Sequence, residues 1–471
     1  MLRSLECTYI DKQERAFVDQ NKYSADLSRR RASRTARTTV KLQLGLLTPV
    51  PDDSHDSLVS TAVQGKCNNF STPTISASVV WELKDRVLAR FLGRWTSGLT
   101  CLGRQDAIIR VHNQAKQTSP IGCAILAIAF ADLAVNESHG DAATQSCMAY
   151  HETLQQVKNQ IAGPLLFSVA GDEFLTAILA IDAYEILYIR RPAPLGAHTS
   201  AIVELLRLRD LQAPDCTHES AFERIAAPRI LARQLLCGLP SMTRKGRHET
   251  MLGTTVLDRR VAKLVNESCD LLYMLKGGLY DSAVARASDE GQAMAMRRLC
   301  SVLVDTQRWL DSDKHVSRLW RVEGHGLEDQ ASPLVSARPS ILVSGQIWVI
   351  RDWILYHMSR IKIFEAIIDK SRTGWSDVAS RHFSNTQTCL EEICSGCNFL
   401  LDTMPFLIGS VDVHGAATGL PLNDTGLLIA HYPLWLIEGC KYASPDSLHS
   451  AKALLGYIQA QRSLRLESNP A

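Results

Sequence analysis

A marked excess of charge of one sign is missing from this sequence. Lys and Arg number 51 and Asp and Glu 49 in 471 residues, a formal net charge of +2. No global imbalance therefore calls for nucleic acid or an anionic membrane, and any such affinity has to come from a local patch. Nucleotide and hydrolase signatures are missing too. There is no G-x-x-x-x-G-K-[ST] phosphate loop and no G-x-S-x-G nucleophile elbow, and Gly409-Ser410 lacks the second glycine that an elbow needs. His151-Glu152, His218-Glu219 and His248-Glu249 are not followed by a second histidine at the spacing that puts two imidazoles on one helix face, so a zinc-protease helix is excluded. The opening Met1-Leu2-Arg3-Ser4-Leu5-Glu6 has no long apolar segment, so no signal peptide is expected. The most apolar stretch is bracketed by Lys116 and Asp132, short of the roughly 20 residues a bilayer span requires. No sustained period-2 alternation predicts strands, and no repeat of roughly 33–45 residues predicts a solenoid.

The cysteines are numerous but not organised. Thirteen are scattered, an odd count, with Cys123, Cys147, Cys237 and Cys300 each alone on an apolar face. That pattern predicts reduced, intracellular, core-filling thiols and not a disulfide framework. Cys389, Cys394 and Cys397 include a C-x-x-C, but it falls in a helical pattern without a fourth ligand nearby, which favours buried thiols over zinc or redox chemistry.

Helical periodicity is abundant. Residues 119–210 read as four helices joined by short connections. The first, from Pro120, is apolar all round, and Ala124, Ala127, Ala131 and Ala134 give it one smooth face for close helix approach. The second, at about 142–161, carries Ala143, Cys147, Tyr150, Leu154, Val157 and Ile161 on one stripe. The third starts at Gly171-Asp172, runs Phe174, Ile178, Ile181, Tyr184 and Leu187 down one face, and closes at Arg190-Arg191-Pro192. The fourth, at about 196–210, groups His198 with Ile202, Leu205 and Leu206. His198 reads as a satisfied structural histidine, with no partner nameable from the sequence. Further helices are predicted from Val79 onward and over 221–239, 257–275, 292–309, 347–368, 385–401 and 446–464. Pro228 predicts a kink or break in the first of the six closed ranges. Residues 323–339 form a polar gap. The fold class is therefore all-α, a large multi-helix domain of antiparallel helices in a bundle or superhelix.

Ahead of it, residues 48–78 are rich in Ser, Thr, Pro, Asn and Asp, a composition that predicts disorder. Arg29, Arg30, Arg31, Arg34 and Arg37 lie in a run with small spacers and no acid. Five arginines neutralising about five phosphates would give a salt slope near −4.5, a weak and non-specific attraction to a nucleic-acid backbone. A nuclear-import address and a solvated tail are the other readings of the same run. Asp52, Asp53 and Asp56 match a D-D-x-x-D magnesium-diphosphate motif of isoprenoid enzymes, the enzymatic alternative. They stand in the Pro/Ser-rich leader instead of on a helix facing a cavity, and no second metal motif follows. No convergent acid–base set emerges, so no enzyme and no cofactor are expected.

Several segments, in their order, resemble the fungal-specific transcription-factor domain. These are the Ala-rich helix, the Tyr150 helix, Asp172 with Tyr184-Glu185, and Ala197-His198 with Leu205-Leu206-Arg207-Leu208-Arg209. They continue with Trp353-Ile354-Leu355-Tyr356-His357-Met358-Ser359-Arg360-Ile361 and with His431-Tyr432-Pro433-Leu434-Trp435-Leu436. The likeness covers about residues 79–465, and Asp210 stands where that family usually has Gly. Cys7-Thr8-Tyr9-Ile10-Asp11 with Phe17-Val18-Asp19-Gln20 is similar to the tail of the six-cysteine binuclear zinc cluster, with Cys7 as its last ligand. The resemblance implies a nuclear transcriptional regulator in three parts. Residues 1–25 would be a zinc-cluster remnant, 26–78 a disordered basic linker, and 79–471 a helical regulatory domain. A homodimer and transcriptional coregulators are the partners it implies, with no membrane. Five of six zinc ligands are absent and one thiolate cannot hold zinc, so neither zinc nor a specific DNA site is expected of this chain. Either a longer gene model restores the cluster, or the chain is a regulator without its reader. A helical scaffold with no transcriptional role is the non-enzymatic alternative.

Overall fold

A computed structural model of the chain describes residues 83–91, 119–137, 140–162, 172–189, 198, 201–203, 205–206, 221–241, 256–275, 289–312, 319–323, 340–344, 347–372, 386–418 and 422–462. All of them fall within one compact unit, Pro73–Ala471. The zinc-cluster-like residues, the arginine run and Asp52, Asp53 and Asp56 lie outside the described residues.

The architecture is all-α. In chain order the helices are α1 (Pro120–Glu137), α2 (Gly140–Ala162), α3 (Asp172–Tyr188), α4 (Ala221–Cys237), α5 (Val256–Leu275), α6 (Asp289–Ser312), α7 (Ile347–Ser371), α8 (Thr386–Leu407), α9 (Asp424–Gly439) and α10 (Pro445–Arg462). The helix at 83–91 precedes them. One small antiparallel sheet interrupts the series, with β1 (Trp320–Glu323) paired to β2 (Ser340–Val343) in the register Trp320↔Val343 to Glu323↔Ser340. The sequence pattern predicts no strand. Four residues are too few to display a period of two, and the two strands lie at either end of the polar gap at 323–339.

α1 is the packing centre of the N-terminal part. Its mean hydropathy of 1.5 over 18 residues would suit a bilayer, but 78% of that span is buried inside the protein. α2 and α3 both pack on it. The alanine face does what its small side chains permit: Ala124, Ala127 and Ala131 are buried, and the Ser146 hydroxyl of α2 donates to the Ala127 carbonyl at 2.8 Å. A second group joins α5, α6, α7 and α8, with α7 against both α5 and α8.

α9 ties the two groups together, because it touches α3, α4, α7, α8 and α10. No periodic pattern in the sequence marks this helix. It is apolar on nearly every side and carries Pro433, so it shows neither a stripe nor an uninterrupted pattern. Its burial among five neighbours accounts for that composition. Pro228 likewise sits inside a continuous α4, with no break at that position. α4 and α8 end alike, on Gly238 and Gly409 in the left-handed region (φ 61 and 81). In each the following N–H bonds back five residues, Leu239 to Gln234 and Ser410 to Pro405, which satisfies the last carbonyls.

One apolar cluster runs from Val87 to Ile458. A smaller one joins Val157 of α2, Phe174, Ile178 and Ile181 of α3, Ile202 and Leu205, and Ile230 of α4. The buried cysteines Cys123, Cys269, Cys300, Cys389, Cys397 and Cys440 form no disulfide. Burial pushes the Cys123 thiol up to about 11, so it stays protonated.

Candidate functional site

Beside the smaller apolar cluster lie polar side chains from four segments: α2, α3, α4 and residue 198. The Tyr150 hydroxyl of α2 donates to Glu185 Oε1 of α3 at 2.6 Å, and His198 Nε2 lies 2.7 Å from the same oxygen. The Tyr150 ring stacks on Tyr184, with centroids 4.6 Å apart and planes 19° from parallel. The Tyr184 hydroxyl lies 3.1 Å from Ser146 Oγ. α4 adds Arg229, which reaches the Leu179 carbonyl at 3.3 Å and Asp182 at 3.8 Å. Helical spacing accounts for the convergence. Tyr184 and Glu185 are adjacent on α3, so one turns toward the α1–α2 seam and the other toward His198.

Burial works against the Glu185 carboxylate, but His198 and Tyr150 outweigh it and hold its carboxyl below the usual range. Burial likewise disfavours the His198 imidazolium, and Glu185 outweighs it, so the imidazole holds its proton above its ordinary value. Burial and then the Glu185 charge push the Tyr150 hydroxyl up, so Tyr150 remains a donor. Chemically the cluster is a charge-assisted clip joining α2, α3 and the segment at residue 198. Glu185 accepts from both neighbours. His198 is thus the satisfied structural histidine that its apolar helix side suggests, and Glu185, which the sequence alone could not single out, is its partner. They stand 13 residues apart, a separation over which no helical pattern predicts contact.

A second polar constellation lies on α7. Arg360 sits over the rings of Tyr356 and Phe364, at 5.4 and 5.9 Å from their centroids, and pairs with Glu392 of α8. Tyr356 donates to Gln307 of α6 at 2.7 Å. Gln307, Arg360, Phe364 and Glu392 border a groove of about 370 Å³ between α6, α7 and α8. One turn back, His357 stacks on Phe399 at 3.8 Å between centroids, and burial holds its imidazole well below the ordinary value. It is a neutral aromatic in this setting.

Cys389, Cys394 and Cys397 lie on α8 as the pattern predicts. Among the described residues no group of three or more His, Cys, Asp or Glu side chains could hold a metal ion. His151 and Glu152 are on exposed parts of α2, while His218, Glu219, His248 and Glu249 fall outside the described residues. Arg29, Arg30, Arg31, Arg34, Arg37 and Cys7 do so as well, so nothing in the fold bears on them. Comparison with protein-family models, with curated proteins and with solved structures finds no match to this chain.

Proposed function

We propose that this chain is the helical regulatory region of a nuclear transcriptional regulator of the fungal zinc-cluster type, acting through a protein-binding surface and not through catalysis. The observation that carries the reading is the Tyr150–Glu185–His198 clip. Tyr150, Tyr184, Glu185 and His198 belong to separate sequence segments that resemble that family, and in the fold they form one junction. The all-α architecture supports it only at the level of fold class, since fold does not dictate function. Its partners on this reading are coregulators and a second copy of the chain. DNA enters only through weak backbone attraction by Arg29, Arg30, Arg31, Arg34 and Arg37. Cys7 alone supplies one of the thiolates a tetrahedral zinc site requires, so no zinc is assigned.

The test is a tethering experiment. The full chain is fused to an unrelated DNA-binding module and expressed in a fungal cell carrying the matching reporter. A change in reporter output of several-fold or more, in either direction, supports the reading. Unchanged output from a nuclear, folded fusion leaves a helical scaffold as the better description.

A further inference from the structure

The groove between α6, α7 and α8 is fitted, we propose, to bind a small carboxylate carrying a flat apolar body. Its volume of about 370 Å³ falls within the range of small-molecule sites, which runs from about 300 to 1,000 Å³. Leu303 of α6 and Phe364 of α7, both buried residues, form an apolar floor. Two guanidinium groups border the groove from different helices. Arg308 of α6 has a side chain 76% exposed, and its ion pair is a single 3.5 Å contact with Asp305. Arg360 of α7 is held against two aromatic rings and gives one terminal nitrogen to Glu392. A guanidinium offers five N–H donors in a fixed plane, so both arginines keep donors for an incoming anion.

The carboxylates on the same walls are already engaged. Asp311 Oδ1 accepts from Gln307 Nε2 at 2.9 Å, and Glu392 accepts from Arg360. Gln307 is fixed in turn by the Tyr356 hydroxyl. A cationic ligand would approach two arginines and find both acids partnered. An anionic ligand would meet spare donors and compete with one internal carboxylate, Glu392, for the Arg360 guanidinium. That competition gives the site a signature: removing the Glu392 charge strengthens anion binding, and removing the Arg308 charge weakens it.

The test is calorimetric titration of the full chain with 2-naphthoate, alongside the uncharged 2-naphthalenemethanol and the cationic 2-naphthylmethylammonium. Saturable binding of 2-naphthoate in preference to the other two is expected. Arg308→Gln should weaken it about tenfold and Glu392→Gln should tighten it several-fold, both on exposed or half-buried side chains whose replacement leaves the fold intact by circular dichroism. The proposal is overturned if 2-naphthoate does not bind, if the alcohol or the amine binds as well, if Arg308→Gln is silent, or if Glu392→Gln weakens binding. The titration reads binding alone, so a silent reporter fusion does not affect it.

Discussion

Arg462, in the last turn of α10, lies 3.5 Å from Asp132 near the end of α1, and each side chain is only 2% exposed. The same guanidinium reaches Asp424 at 2.7 Å and donates to the Leu422 carbonyl. Arg90, in the helix at 83–91, approaches the other Asp132 oxygen at 4.0 Å, and Asn136 donates to Oδ1 at 2.7 Å. One buried charge centre therefore joins the beginning of the described chain, the core helix α1, the entry to α9 and the final helix.

Breaking that centre should be costly. Arg462→Met strands two carboxylates in the core, and removing one member of a buried pair typically costs about 3–5 kcal/mol. Adding Asp132→Asn and Asp424→Asn to the same chain removes the stranded charges and should recover part of the loss. Urea denaturation of the three chains checks this; a single variant no weaker than the triple one contradicts it.

The Glu185–His198 clip predicts a particular pH dependence. Glu185 has its folded value below the ordinary 4.5, so its stabilisation is present above that pH and is lost as pH falls through the lowered value. His198 has its folded value above the ordinary 6.5, so its stabilisation is present below 6.5 and is lost as pH rises through the raised value. The pair contributes most between the two ordinary values. His431 opposes this trend. It is buried with Nδ1 2.7 Å from the Leu427 carbonyl, and burial pushes it down to about 4, so the fold loses stability as pH drops below 6.5. Comparing variants separates the two effects. Relative to the parent, His198→Gln should lose most stability near about pH 5.5 and progressively less toward about pH 9, as read by urea midpoints at each pH.

Two glycines in helices should respond in opposite ways to alanine. A Cβ on Gly426 would sit 1.6 Å from the Leu407 carbonyl oxygen, where the first turn of α9 crosses the end of α8. That obstacle is backbone, so Gly426→Ala should destabilise by about 3 kcal/mol or more, the upper end of overpacking costs. A Cβ on Gly456 in α10 meets nothing within 4 Å. Gly456→Ala should stabilise by about 0.5–1 kcal/mol through helix propensity alone. Thermal melts of the two variants check the sign of each.

The loop after α8 offers a further case. Asp412 accepts from the amides of His414 and Ala416 at 2.8 and 3.0 Å, and the turn brings Gly415, at φ +81, onto β1. A Cβ there would lie 2.9 Å from both the Glu323 carbonyl oxygen and Val322 Cγ2. Gly415→Ala should cost about 1–3 kcal/mol through backbone strain and crowding together. Faster amide exchange in residues 320–323 and 340–343 would localise the damage to the sheet.

Local patterning made much of this architecture legible. Periodic apolar residues marked most of the helices within a few positions, because a helix facing one core needs a stripe and a stripe repeats over neighbouring residues. Ala127 and Ala131 could be read as a close-packing face for the same local reason, and His198 as a structural residue on the apolar side of its helix. What lay beyond reach was whatever depends on partners far along the chain. α9 escaped notice because a helix surrounded on all sides has no stripe, and β1 and β2 because four residues hold too few alternations. Asp132 looked like a polar bracket on an apolar run until the fold brought Arg462 to it. Glu185 and Glu392 have no partner nameable from the sequence, and the fold gives them His198 and Arg360. The sequence by itself settled where the chain coils, since that is decided by near neighbours. Tertiary packing alone decided which charges are buried together, since those distances are set by how whole helices cross.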